Sequence, residues 1–215
     1  GVFDNTWSLF KDKLSWIRET LLEVKNIKNV NWLLKPHPND KIHKVVTDIM
    51  SEYIKICSNY KHILPFPDNL SLASIPNFAH CVITMGGSAS YEYSAFGIPA
   101  LHSCESCCSG RGFTIDPESK EKYFDLLRKI EKIGKLNKEQ IDKAKIYIFI
   151  YSKLTRIRAN LLPFFGNEAI NMKTFWPKMI DLLDNYNAEE DLLKKMMIIQ
   201  EKNKDRHAIN YDLLK

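Results

Sequence analysis

The stretch HCVITMGGSASYEYSAFGIPALH, His80 to His102, decides how the rest of the chain is read. Cys81 to Thr84 is a short apolar run rich in β-branched residues and bounded by glycines, the pattern of a buried parallel strand. Gly86 and Gly87 allow a sharp turn and close backbone approach, and Ser88 or Ser90 supplies an N-cap for a helix expected to run to about Phe96. Gly97 ends that helix and Ile98-Pro99-Ala100-Leu101 opens the next strand. A glycine-rich turn feeding a helix start is an anion site, because unpaired N–H groups and the positive end of the helix dipole point the same way. Ser88, Ala89 and Ser90 stand where phosphate oxygens would rest.

Glu92 lies six positions after Gly86 and five before Gly97. A carboxylate there can accept hydrogen bonds from the two hydroxyls of a ribose whose phosphates sit on the turn. The plainer reading is an acid that offsets the helix dipole. Upstream, Val30 to Leu34 reads as the first parallel strand, ending in Lys35-Pro36-His37-Pro38, which can continue neither as helix nor as central strand. Ligands of open α/β sheets gather beyond the carboxyl ends of strands, so Lys35 and His37 are candidates for phosphate contact. A His that merely hydrogen-bonds loop backbone is the alternative.

These two segments carry a resemblance. Gly86 to Pro99, GGSASYEYSAFGIP, looks like the nucleotide-binding segment in the C-terminal domain of GT-B glycosyltransferases, where Gly and Ser face the phosphates and the Glu holds the ribose. Leu33 to Pro38, LLKPHP, is similar to the His-Pro motif of bacterial capsule polysaccharide transferases, including those using CMP-activated acidic sugars. The likeness covers roughly Trp7 to Tyr123 and is specific for the superfamily but loose for the donor.

The resemblance implies a Rossmann-like parallel sheet flanked by helices, the donor-binding half of a metal-independent glycosyltransferase with a CMP- or UDP-linked sugar as substrate and no resident cofactor. Its partners would be a nucleotide-sugar donor, a glycan or glycolipid acceptor, and an N-terminal GT-B domain that supplies the catalytic base. On this reading His37 stabilises the leaving phosphate, and residues 1–215 bind nucleotide without turning over alone. The lack of an Asp-x-Asp motif agrees with charge stabilisation by cationic side chains and a helix dipole. Two other readings stay open: a UDP-N-acetylglucosamine 2-epimerase-like enzyme, and a non-catalytic GT-B scaffold domain.

The totals set bounds on these readings. With 215 residues, 45% of them hydrophobic, the chain can bury a core, and it reads as an α/β domain with helical extensions. We expect a leading helix within 1–28, a nucleotide-sugar-binding domain over 29–160, and C-terminal helices and a tail over 161–215. From the start at Gly1, without an initiator Met, we expect either a truncated chain or a protein lacking its N-terminal half. A net charge of +5 suits an anionic substrate or a lipid surface rather than nucleic acid. Five cysteines without a secretory signal point to a reducing cytoplasm, and no apolar run reaches membrane-spanning length. The chain therefore reads as cytoplasmic, either free or at the inner face of the cell membrane.

The remaining segments give coarser expectations. Apolar spacing predicts a helix over Trp7 to Val24, a second from Lys41 to about Ser58, a strand over His62 to Phe66, and a short helix from Ser71 interrupted by Pro76. In the similar domains the loop at this place cradles the base, which makes Leu64, Phe66 and the backbone of Leu70 or Ser71 candidates. His102 to Phe113 is small and polar, as a flexible loop over a site would be, and Arg111 between two glycines suits a phosphate or a sugar carboxylate. His102, Cys104, Cys107 and Cys108 could be drawn as a zinc site, but the adjacent cysteines and absent second C-x-x-C make a poor match, and no metal is expected. Helices follow over Lys120 to Ile133, from Asn137 toward Tyr151, from Asn171 or Thr174, and over Glu189 to Asp205. The aromatic end of the second, flanked by Lys and Arg, reads as a core helix or as a membrane-surface helix.

Overall fold

A computed structural model of the chain describes residues 8–36, 55–154 and 172–185. It divides into two compact units, 1–147 and 148–215.

In the first unit, helix α1 spans Lys13–Val24, capped by Asp12, whose carboxylate accepts a hydrogen bond from Ser15 N at 2.7 Å. It starts later than its apolar spacing predicts because Asp12 caps it and Ser8 forms an antiparallel bridge with Cys104. Strand β1, Trp32–Leu34, pairs in parallel with β2, Ile63–Pro65. The expected helix over Lys41 to Ser58 lies mostly outside the described residues, which are helical over 55–59. Ser71 caps a 3₁₀ turn, Leu72–Ser74, that runs straight into α2, Ile75–Phe78. Pro76 therefore opens α2 rather than interrupting a helix, since its missing N–H falls among amides that have no helical partner anyway.

Strand β3, Val82–Thr84, helix α3, Ala89–Ser94, and strand β4, Ala100–His102, form one parallel β–α–β unit with Thr84 opposite His102. The far edge of β4 is taken by the returning chain: Ile115 N donates to Ala100 O at 2.8 Å and His102 N to Ile115 O at 2.9 Å. Among the described residues no ladder joins this unit to β1–β2. The architecture is mixed α/β with two short parallel strand pairs, and among the described residues it shows no clear Rossmann-like sheet of the kind expected. Each strand is three residues long, cut off by a glycine turn after β3, a proline at the end of β2 and the Lys35-Pro36 step after β1.

Helix α4, Lys120–Arg128, is capped by Ser119 and packs on α1. Tyr123 joins the two: Trp16 Nε1 donates to its Oη at 2.9 Å, and Thr20 Oγ1 lies 3.0 Å away. Around it Phe10, Val24, Trp32, Ile63, Leu101, Leu127 and Ile130 form the main core. Helix α5, Lys138–Phe149, begins in a reciprocal cap, with Gln140 N donating to Asn137 Oδ1 and Asn137 N to Gln140 Oε1, both at 3.0 Å. Its Ala144 and Tyr147 pack with Cys108 and Phe113 in a smaller cluster.

In the second unit, α6 spans Met172–Asp184 with Pro177 inside it, and Asn185 Nδ2 donates to Asp181 O at 2.8 Å. The helix expected over Glu189 to Asp205 lies outside the described residues. No helix among the described residues is long and apolar enough to cross a membrane.

Candidate functional site

The site grows from the carboxyl ends of β3 and β4, which finish level with each other. Gly86 adopts φ +73° and Gly97 φ +86°, left-handed backbone that other residues strain to reach, so the turn and the helix stop are where the sequence puts them. The helix start differs from expectation. Ser88 stands at the N-cap position but makes no side-chain cap bond. Ser90 is buried and its Oγ donates to Gly87 O at 2.7 Å, and Gly87 N donates to Thr84 Oγ1 at 3.2 Å. What remains open at this turn are the amides of Ser88 and Ala89, which have no hydrogen-bond partner among the described residues.

The glycines are also packed by protein. A Cβ built on Gly86 would lie 3.3 Å from Cys104 Sγ, from Glu105 O and from Ser106 Cβ; one on Gly87 would lie 3.1 Å from Thr84 Oγ1. The 104–106 segment thus occupies the close approach that the missing Cβ of Gly86 permits.

Glu92 is exposed in the first turn of α3, with no partner for its carboxylate among the described residues. Its neighbour Tyr93 donates to Leu72 O at 3.3 Å, tying α3 to the 3₁₀ turn. Burial, with the Glu92 charge second, pushes the Tyr93 phenol up. Leu64 and Leu72 are exposed, at 44% and 45%, whereas Ser71 spends its hydroxyl on Ala73 N. Lys35 is exposed, its ammonium 3.4 Å from Pro36 O, and makes no hydrogen bond to the glycine turn. Arg111 is exposed and its guanidinium has no partner among the described residues. His37 lies outside the described residues.

The 102–113 segment is not the loosely held loop that its composition led us to expect. His102, Ser103, Cys104, Cys108 and Phe113 are all buried. Asp116 Oδ1 lies 2.8 Å from His102 Nδ1, while its Oδ2 accepts from Gly110 N and Thr114 Oγ1, each at 2.9 Å. Ser109 Oγ lies 3.2 Å from the same Nδ1. Cys108 Sγ sits 3.3 Å from Ser90 Oγ and 3.2 Å from Ser106 Oγ, so the segment grips the start of α3. His102 Nε2 is buried with no partner at hydrogen-bond geometry, yet the ring is near enough to Cys108 for each to alter the other's proton affinity.

The charges follow from this geometry. For His102, burial opposes protonation, but Asp116 and then Cys108 outweigh it and raise the imidazole to about 9. For Asp116, burial opposes ionisation, and His102, Gly110 N–H and Thr114 bring the carboxyl down to about 2. Burial alone would raise the Cys108 thiol; hydrogen bonding to His102, Ser106 and Ser90 holds it below its ordinary value instead. Burial, with the Glu105 charge second, pushes the Cys104 thiol up, and burial pushes Cys81 up to about 12. Among the described residues no group of three His, Cys, Asp or Glu side chains could hold a metal ion.

Sequence reasoning named His102 and Cys108 only as poor zinc ligands and passed over Asp116. The signal lay in position: His102 closes a strand, and Asp116 follows directly on the residue that bridges back to that strand. Comparison of the chain with family models, with curated proteins and with solved structures finds no match in any of the three.

Proposed function

We propose that the first unit is the nucleotide-binding part of a Rossmann-like domain of the GT-B glycosyltransferase type, taking a nucleotide-activated sugar, a CMP-sugar first among the candidates, for surface polysaccharide synthesis. One observation carries this reading. A parallel strand runs through a Gly-Gly turn into a helix whose first amides, Ser88 and Ala89, have no partner among the described residues, and one turn on Glu92 stands exposed with no carboxylate partner among them. Amides and a carboxylate in that order match the two ends of a nucleotide, phosphate on the amides and ribose hydroxyls on the acid. Arg111 and Lys35 are exposed cations, which this reading assigns to the same anion. Ser90, committed to Gly87 and Cys108, supports the turn rather than the ligand.

Calorimetric titration of the folded chain with CMP and UDP tests this. Binding of CMP is expected, and Glu92→Ala should weaken it by about tenfold, the loss of one or two charge-assisted hydrogen bonds to ribose, without moving the melting temperature. Preference for UDP would shift the reading toward a UDP-sugar transferase or an epimerase. No binding by either nucleotide at millimolar concentration would overturn it and leave a scaffold role.

A further inference from the structure

Helix α5 carries apolar side chains on two faces, and the core takes only one of them. Ala144 and Tyr147 pack with Cys108 and Phe113. Ile146, Phe149 and Ile150, at the three- and four-residue spacing of a single helix face, stand in solvent instead, 58%, 50% and 41% exposed. Ile150 opens the π-helical turn Ile150–Leu154 that continues the helix, and Tyr151 after it is exposed as well. A surface helix ordinarily shows water its polar residues, so packing within this chain does not account for an outward apolar face. Single exposed apolar residues are common; three on one face mark a contact surface.

The charge pattern changes at the same place. In the first turns of α5 the lysines have acids beside them, Lys138 with Asp142 at 3.0 Å and Lys143 with Glu139 at 2.7 Å. Beyond Asp142 the sequence holds no acid until Glu168, and between them stand Lys143, Lys145, Lys153, Arg156 and Arg158, as many cations as the net charge of the whole chain. Lys145 and Lys153, which bracket the apolar face, are exposed and have no partner among the described residues. Long lysine stems lie along apolar surface while the ammonium reaches for anions.

We propose that this face of α5, from Lys145 to Lys153, docks on an anionic lipid bilayer, with Ile146, Phe149 and Ile150 at the boundary of headgroups and acyl chains and the two lysines on the phosphates. Of the two readings that the sequence leaves for this segment, core helix or membrane-surface helix, the exposure of these three side chains favours the second. Charge complementarity selects the occupant. A second copy of the chain would set the lysines of an acid-free face against lysines, whereas acidic headgroups neutralise them. No helix among the described residues is long and apolar enough to cross a membrane, so the contact is peripheral.

The full chain is sedimented with vesicles of phosphatidylcholine alone and of phosphatidylcholine with about one-third phosphatidylserine. Binding is expected on the second and should be about tenfold or more weaker on the first, since each lysine near an anionic surface strengthens it about fivefold. Raising salt from about 0.1 M to about 1 M, which shortens the screening length from about 10 Å to about 3 Å, should weaken it by a similar factor. Ile146→Gln with Phe149→Gln removes the apolar contact and Lys145→Gln with Lys153→Gln the charge, and each pair should weaken binding by about tenfold or more at an unchanged melting temperature. The lysine pair is fully solvated, so it keeps the test decisive even if the apolar pair fails to fold. Leu22→Gln is the control: Leu22 of α1 is also 58% exposed but stands beside Glu23, and this variant should bind like the wild type. No binding to phosphatidylserine vesicles, equal binding to both kinds, or an equal loss in Leu22→Gln would overturn the proposal. So would a concentration-dependent dimer that Ile146→Gln with Phe149→Gln dissolves, which would give the face to a second copy. Vesicle binding is read without nucleotide, so its failure leaves the nucleotide reading untouched.

Discussion

Replacing Gly86 by Ala should destabilise the fold by about 3 kcal/mol, and the structure divides that figure into two parts. Gly86 sits at φ +73°, and holding a residue with a Cβ there costs roughly 1–2 kcal/mol. The new methyl would also lie 3.3 Å from Cys104 Sγ, Glu105 O and Ser106 Cβ. One is a backbone oxygen, one a carbon next to backbone and one a buried sulfur, so none can swing aside as the tip of a long side chain would. Overpacking of that kind costs typically 1–3 kcal/mol. Gly110 is the control. It has φ +71° but nothing within 4 Å of a built Cβ, so Gly110→Ala pays the backbone part alone, about 1–2 kcal/mol. In urea unfolding followed by circular dichroism, Gly86→Ala should therefore show the larger drop in midpoint. In thermal unfolding the larger figure corresponds to about 6–12 °C for a chain of this size. Equal losses in the two variants, within about 0.5 kcal/mol, would mean that the 104–106 segment does not press on Gly86 and that the packing argument is wrong.

Two further outcomes follow from the ion pair and from the α1–α4 contact. His102 is raised in the fold to about 9 and Asp116 lowered to about 2. The histidine contribution is fully present below its unfolded pKa near 6.5 and is lost as pH rises through about 9; the aspartate contribution is present above its unfolded pKa near 3.8 and is lost as pH falls through about 2. Stability plotted against pH should thus hold a plateau between about 4.5 and 6, and Asp116→Asn should flatten both shoulders; a wild-type curve with no decline toward pH 9 would refute the pairing. Tyr123→Phe removes the acceptor of Trp16 Nε1–H and the partner of Thr20 while leaving the buried ring in place, and should cost about 1–2 kcal/mol in urea unfolding. A neutral result would show that Trp16 and Thr20 find water instead.

Much of the first unit was legible because its signals are local. Ser71 and Asn137, expected to open helical segments, cap where their side chains reach an amide two and three positions ahead. Gly97 stops its helix because that backbone needs positive φ. The failures are those where a distant partner decides. Ser90 reads as a cap until Cys108 claims its oxygen, and His102 to Phe113 reads as mobile because small polar residues have no periodicity to betray burial. Composition cannot announce that Asp116 will reach back to His102 and hold Gly110 and Thr114 with its other oxygen. The single sheet failed similarly: which edge of β4 stays free depends on where Ile115 returns, and no stretch of β-branched residues records that.

The turn at Gly86 shows why a glycine signature alone does not locate a ligand. A missing Cβ permits close approach by anything, and here the approach at Gly86 is made by Cys104, Glu105 and Ser106. A nucleotide bound as proposed would therefore have less of the turn to use than the sequence promised: the amides of Ser88 and Ala89, and beyond them the Glu92 carboxylate. Two variants must then behave differently. Gly86→Ala acts on binding only through the fold, so its loss of affinity should track its loss of stability and recover with added osmolyte. Glu92 has no carboxylate partner among the described residues, so the loss in Glu92→Ala should persist at full stability. Parallel behaviour of the two would place the ligand over the first glycine, with the 104–106 segment moved aside.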